Sequence, residues 1–384
     1  MVDLSQKVSD EFRSRFERDP KLVVSPGRIN LIGEHVDYND GFVMPAAVDK
    51  FLAFAILPNG TNRFNCYASD FQETVSFGIT ELQAGHHWGN YLMGVIEGFR
   101  QKGFVPGGID CVFGGTIPPG GGMSSSAALC CGFAFAVNNF FKCNLSRLEL
   151  ALIAQFSEHN FAGVKCGLMD QYAVLFGEED SLLLLDCRSM KHVPVPFPSA
   201  KCSIILVDTK VKHTLASSAY NKRRASCEEG VAVLKKLIPG TVSLRDVSAG
   251  QLLQHKDKLS AEVFIRCQYV TEEIARTQEA AQALDKGDLE TFGSLMFQCH
   301  EGLRVKFEVS CPELDLLVDL AKQKPKEVIG SRLMGGGFGG CTVNLIRPGE
   351  EEAFETLIST EYFATFRITP EFYPVKLSQG THLV

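Results

Sequence analysis

The chain has 384 residues, 45% of them apolar and 22% charged, with a formal net charge of −7 interspersed along its length. That length exceeds what one hydrophobic core usually supports and predicts two domains in an ordinary soluble protein. The lack of a basic stripe argues against an electrostatic nucleic-acid binder, but phosphate binding stays open, because backbone dipoles hold phosphate whatever the net charge. In chain order, the pattern predicts a helix over 4–16, a short strand over 21–25, and strands over 51–58 and 73–77. A helix over 90–102, stopped by Gly103, and a strand over 109–116 follow. After a Gly/Ser loop come a small-residue helix over 125–142, a helix over 147–160 and a hairpin over 181–197 whose first arm, 182–185, is buried. Beyond Cys202 one strand (203–209) precedes helices over 219–237, 261–286, 289–305 and 312–323. A strand–loop–strand around 335–340, a helix over 352–366 and a strand over 371–377 close the pattern. Strand and helix clusters alternate irregularly, so the expected class is α+β, with domains at 1–195 and 196–384.

The 13 cysteines are odd in number and never spaced Cys-x-x-Cys. With no signal-peptide pattern at the start, they read as reduced core thiols of a cytoplasmic protein, and zinc is not expected. No stretch approaches ~18 uninterrupted apolar residues, so no membrane partner is expected.

Three motifs carry chemistry. The first, Gly27-Arg28-Ile29-Asn30-Leu31-Ile32-Gly33-Glu34-His35-Val36-Asp37-Tyr38-Asn39-Asp40-Gly41, packs charged groups among turn formers and reads as a loop outside the core. Its carboxylates suit a polyol and its arginine suits phosphate; a solvated turn with local salt bridges accounts for the same composition. The second, Pro118-Pro119-Gly120-Gly121-Gly122-Met123-Ser124-Ser125-Ser126-Ala127-Ala128, lies between a strand and a helix. Glycines admit close backbone approach and the helix start offers free N–H groups, a site for phosphates; no Gly-Lys-Ser/Thr marks it as a Walker loop. The alternative is a flexible linker with a serine cap. The third, Gly335-Gly336-Gly337-Phe338-Gly339-Gly340, fits G-x-G-x-x-G, but a strand pattern follows instead of a helix, which excludes the dinucleotide reading. A tight turn in a core, or backbone packed against a ligand, both remain.

Together these motifs resemble those of the galactokinases, within the small-molecule kinase superfamily that includes homoserine, mevalonate and phosphomevalonate kinases. Two further segments match: Glu158-His159-Asn160-Phe161-Ala162-Gly163 leading to Cys166-Gly167-Leu168-Met169-Asp170-Gln171, and Ala216-Ser217-Ser218-Ala219-Tyr220 with Arg223, Arg224 and Cys227. The resemblance runs from about residue 20 onward. It implies a two-lobed α+β fold whose N-terminal lobe is like ribosomal protein S5 domain 2, with the active site in the cleft between lobes. It further implies a monomeric enzyme that uses ATP and Mg²⁺ to phosphorylate the anomeric hydroxyl of galactose.

Residue by residue, the resemblance makes Asp170 the catalytic aspartate and Arg28 the arginine that holds it ionised and stabilises the transferred phosphoryl group. Glu34, His35, Asp37, Gly167 and Tyr220 match the sugar-binding set. Gly120, Gly121, Gly122, Met123, Ser124 and Ser125 match the phosphate cradle, Ser126 and Glu158 the Mg²⁺ ligands, and Trp88 a tryptophan near the adenine. These types suit phosphoryl transfer, which needs positioning and charge neutralisation, and a hard ion that takes oxygen ligands. The chain departs from the family at Val36, Met123, Met334, Cys130, Val305 and Lys306. None removes a catalytic group, but Val36 and Met334 bear on the pocket and hence on the sugar. A kinase for N-acetylgalactosamine, or a galactose-sensing regulator, are the alternatives.

Overall fold

The computed structural model describes residues 2–83, 85, 88–118, 120–212 and 216–384, so Pro119 of the second motif lies outside the described residues. The six-stranded sheet has the order His382–Leu383, Lys21–Asn30, Pro45–Pro58, Ile109–Gly115, Arg63–Ala68, Glu73–Gly78. All its pairings are antiparallel except that of Arg63–Ala68 with Ile109–Gly115. Pro45–Pro58 is buried for most of its length, because both faces of the sheet are covered. The amphipathic helix Val2–Phe16 lays Val8 and Phe12 on one face, against Val24, Ala53 and Val112. Helix Ser125–Phe140 packs on the other, so close that a Cβ at Gly132 would collide with Phe54. Its alanines and cysteines are what allow that approach.

A four-stranded antiparallel sheet has the order Val328–Leu333, Gly339–Ile346, Ser203–Lys212, Glu371–Val375. Helices Ala216–Leu234, Ala261–Asp285, Leu289–Gly302, Pro312–Lys322 and Glu351–Phe366 belong to this part of the chain. A small sheet joins Phe42–Val43 to the hairpin Ser181–Asp186 and Lys191–Pro196. One apolar cluster runs from Val23 through Leu377 and links the two large sheets. The last strand returns to pair with Val23 and Val24, and Arg147 Nη1 donates to the Thr381 carbonyl at 3.0 Å.

Several elements differ from the sequence expectation. The first strand continues past Ser25 to Asn30, because a bulge between Pro26 and Arg28 absorbs the Pro-Gly pair that reads as a stop. Strand Arg63–Ala68 and helix Met169–Phe176 are additional. The helices expected over 147–160 and 289–305 end at Ser157 and Gly302, and each passes into a π turn, Glu158–Ala162 and Leu303–Phe307. The helix expected over 219–237 runs instead over Ala216–Leu234. All 13 cysteines are free thiols, and only Cys166 is not buried.

Candidate active site

The second motif turns sharply between strand and helix. Gly120 and Gly122 have φ of 79° and 69°, and Ser124 is left-handed at 54°. A serine in that region is strained, and strain of this kind collects at functional sites. The Ser124 hydroxyl does not cap helix Ser125–Phe140; it donates to Asp170 Oδ2. The N–H groups of the first helical turn therefore keep their positive field for a ligand.

The third motif faces this turn. Gly335, Gly337, Gly339 and Gly340 all have positive φ, and so does Phe338 at 58°. The two glycine segments wall a 420 Å³ cavity, with Arg28 and Met334 also lining it. The third motif is thus both a tight turn and backbone exposed to a cavity, and its four positive-φ glycines follow that path without the strain a side chain brings.

The first motif is buried, contrary to its reading as a loop outside the core. Arg28, Asn30, Glu34, His35 and Asn39 are each at most 4% exposed. Burial is tolerated because most of these polar groups have a partner; the Asn30 side-chain oxygen is an exception. Glu34 Oε2 accepts from Arg332 Nη2 at 2.7 Å and from the Gly335 N–H at 3.1 Å, while Oε1 accepts from Asn30 Nδ2 at 3.1 Å. Arg332 is fully buried and also donates to the Leu31 and Asn30 carbonyls. The Gly33 N–H donates to Glu273 Oε1 at 2.9 Å and the Tyr269 hydroxyl to the Glu34 carbonyl at 3.0 Å, both from helix Ala261–Asp285.

Arg28 meets Asp170 in a fork: Nε to Oδ1 and Nη2 to Oδ2, each 2.7 Å. Its Nη1 donates to the Gly122 carbonyl, and its backbone N–H to the Met123 carbonyl at 3.0 Å. A carboxylate offers about four acceptor positions. Arg28 and Ser124 use three of them, which leaves one on Oδ1.

Asp170 opens into a second cavity, of 250 Å³, lined by Glu34, His35, Asp37, Cys166, Gly167 and Tyr220 among others. Asp37 Oδ1 accepts the Tyr38 N–H at 2.9 Å. Burial, then the charge of Asp170, pushes its carboxyl up to about 6. A Cβ at Gly167 would collide with the Asp37 carboxylate and displace it, so the glycine lets that carboxylate keep its place. His35 Nε2 lies 3.3 Å from the Gly336 carbonyl and must carry the proton there, so Nδ1 accepts from the Tyr38 hydroxyl at 2.9 Å. Burial lowers the His35 pKa to about 4, so the ring is neutral near pH 7. The Tyr220 ring lies tilted against His35 at 5.0 Å between centroids, and burial keeps its phenol protonated.

Ser126 stands where the cavities meet. Its hydroxyl donates to Glu158 Oε2 at 3.2 Å, and Gln171 Nε2 donates to Oε1 at 2.7 Å. Burial first, and Asp170 second, raise the Glu158 carboxyl to about 7. Beyond Ser126 a third cavity of 730 Å³ has apolar walls of Leu52, Phe71, Trp88, Phe113, Leu129 and Phe161. Trp88 donates its ring N–H to Glu73 at 3.2 Å and sets its ring against Phe113 at 5.2 Å. Val36 is not among the residues lining the second cavity; it is core, packed on Gly41.

Residues 10–58 match the model described as the galactokinase galactose-binding signature. Residues 90–178 and 280–361 match the GHMP kinases N-terminal and C-terminal domains. The chain is 39% identical over 376 residues to the galactokinase of Roseiflexus sp. (strain RS-1), covering 96% of both chains. It is 41% identical over 348 residues to that of Chloroflexus aurantiacus, covering 89% of this chain and 88% of the relative. The chain belongs to the galactokinase family. The structure of Lactococcus lactis galactokinase complexed with galactose superposes with a TM-score of 0.94 at 30% identity, covering 98% and 99% of the two chains. A mevalonate kinase shares the fold alone, with a TM-score of 0.62 at 19% identity.

As a galactokinase-family site, this one holds residues that sequence reasoning missed. The partnership of Arg332 with Glu34 spans almost 300 positions and leaves no local signal. Val164 and Tyr91 line the second cavity, yet no motif marks either of them. The motif pattern assigns Ser124 to the phosphate cradle, and its hydroxyl in fact turns to Asp170.

Proposed function

We propose that the protein transfers the γ-phosphoryl group of ATP to the anomeric hydroxyl of α-D-galactose, giving galactose 1-phosphate and ADP. The observation that carries the reading is the position of Arg28. It lines both the glycine-walled cavity and the carboxylate-lined one, and it pins Asp170 at their junction. In this reading the first cavity takes the phosphates, the second the sugar and the third the adenine, with Trp88 in its wall. The two lobes, 1–195 and 196–384, contribute opposite sides of the cleft, except that the last strand rejoins the first sheet.

The sequence of events follows from the partners. Glu34 Oε1, Asp37 and the Tyr220 phenol offer hydrogen bonds to sugar hydroxyls, and Gly167 lets the ring approach Asp37. The free acceptor position on Asp170 Oδ1 takes the hydrogen bond, and then the proton, of the anomeric hydroxyl. The sugar oxygen bonds to the γ-phosphorus as the bond to the β-bridging oxygen breaks. Arg28 and the helix N-terminus at Ser125–Ser126 face the charge spread over the transferred group. His35 is neutral and has both ring nitrogens engaged, so it shapes the pocket and moves no proton.

Ser126 and Glu158 fit Mg²⁺. They are paired hard oxygens beside the phosphate cavity, and a buried carboxyl raised to about 7 favours a cation next to it. When bound there, the ion would neutralise phosphate charge. A monomer is the assembly this reading assumes.

An ADP-coupled assay across free sugars tests the proposal. Galactose should be the best substrate, with glucose lower in kcat/KM by more than about a hundredfold, because an epimer leaves buried acceptors unpaired. Equal turnover of N-acetylgalactosamine or glucose would overturn the sugar assignment and leave a kinase of broader range.

A further inference from the structure

Tyr220, Arg223, Arg224 and Cys227 fall at positions i, i+3, i+4 and i+7 of helix Ala216–Leu234, so they share one face. Tyr220 lines the carboxylate-lined cavity and Cys227 is core. The two adjacent arginines reach in different directions. Arg224 Nη1 donates to the Lys165 carbonyl at 2.9 Å and to the Cys166 carbonyl at 3.4 Å. Arg223 Nε donates to the Phe307 carbonyl at 2.6 Å, and its Nη2 to the Glu308 carbonyl at 2.9 Å.

Both sets of carbonyls lie at or just beyond a π turn, Glu158–Ala162 in one case and Leu303–Phe307 in the other. A π turn widens the helix and shifts the register of the chain that leaves it, a feature that recurs at functional sites. The chain leaving the first turn carries Gly167, which backs Asp37. The second carries Phe307, whose ring sits 4.8 Å from that of His35. Arg224 also lies 5.6 Å over the Tyr38 ring, and Tyr38 in turn bonds His35. Charged donors to neutral carbonyls are among the stronger hydrogen bonds, and the planar guanidinium offers several at fixed angles.

We propose that Arg223 and Arg224 are positioning residues that clamp the Tyr220 helix to two chain segments, one lining the sugar pocket at Val164, Cys166 and Gly167 and one backing it, with Phe307 against His35. They set sugar affinity and leave the transfer step untouched. The clamp rests on the reading of that cavity as the galactose site. Neither arginine faces the glycine-walled cavity, so nucleotide affinity lies outside their reach.

The test is steady-state kinetics and calorimetric galactose binding on Arg224→Gln and Arg223→Gln. Each should raise the galactose KM and Kd about tenfold, the size of one lost charged hydrogen bond, with kcat within about twofold and the ATP KM unchanged. Arg224→Lys keeps one donor for Lys165 and should recover most of the affinity. Glu228→Gln removes only the exposed ion pair of Arg224 and should match the wild type. A loss of kcat at unchanged galactose KM, or an equal rise in both KM values, would overturn the clamp. If Arg224→Gln does not fold, Arg224→Lys decides: a rise in its galactose Kd of about tenfold or more, the full size of a lost charged hydrogen bond, contradicts the clamp. A wild-type protein that fails to phosphorylate galactose sinks the galactose-site reading instead; an active wild type with unaffected variants sinks the clamp alone.

Discussion

The phosphate cavity and the sugar pocket are neighbours built on different principles. The first is made of backbone: two glycine segments with positive φ face each other, and helix N–H groups point between them. The second is made of side chains, two of them fixed by hydrogen-bond partners, Glu34 by the distant Arg332 and His35 by Tyr38 and the distant Gly336. A backbone site depends little on side-chain identity, and Met123 and Met334 both line the first cavity. A side-chain site tolerates few changes, since removing one partner leaves another buried and unpaired.

That difference can be broken from either side. Arg332→Met should have the largest effect on stability. It removes the cation from a fully buried pair and strands Glu34, which should cost about 3–5 kcal/mol in urea unfolding, with galactose binding lost in the fraction that folds. A cost under about 1 kcal/mol, well below the buried-pair range, would mean that Glu34 finds water or another donor. Glu158→Ala is next. The Mg²⁺ concentration for half-maximal rate should rise roughly tenfold or more while galactose binding without nucleotide stays unchanged; an unaltered Mg²⁺ dependence would make Glu158 a structural carboxylate. The smallest effect belongs to the backbone site. Gly122→Ala meets no atom closer than the Met334 methyl at 3.6 Å, so its penalty is the φ of 69° alone. That is worth about 1 kcal/mol, which should appear as a several-fold rise in the ATP KM with galactose affinity intact. A matching loss of galactose affinity would show that the two cavities are not separable.

The same division explains what could be read from sequence. The glycine cluster over 118–128, between strand and helix patterns, was legible as a phosphate site, whereas the one over 335–340, between two strands, left a core turn and a ligand-facing backbone open. The first motif was legible as chemistry but not as structure. Its charged residues argue for solvent, and only the distant Arg332, Glu273 and Tyr269 make burial affordable. Helix Met169–Phe176, which carries Asp170, has eight residues and no Ser, Thr, Asp or Asn at its cap, so neither length nor capping marks it. The apolar spacing of Met169, Tyr172, Ala173 and Phe176 was the one available signal. The closing strand His382–Leu383 is two residues long and pairs across the whole chain, beyond the reach of local pattern.

Asp170 belongs to both halves of this comparison, a side chain held by Arg28 and by Ser124 of the phosphate loop. Asp170→Asn keeps its shape and removes its charge and its proton-accepting oxygen. The deciding measurement is kcat and calorimetric galactose Kd on the same folded variant. The account predicts a galactose Kd within a few-fold of wild type and a kcat lower by about 10²–10⁴. A kcat above about a tenth of wild type, or a loss of galactose affinity as large as the loss of rate, would contradict Asp170 as the proton acceptor.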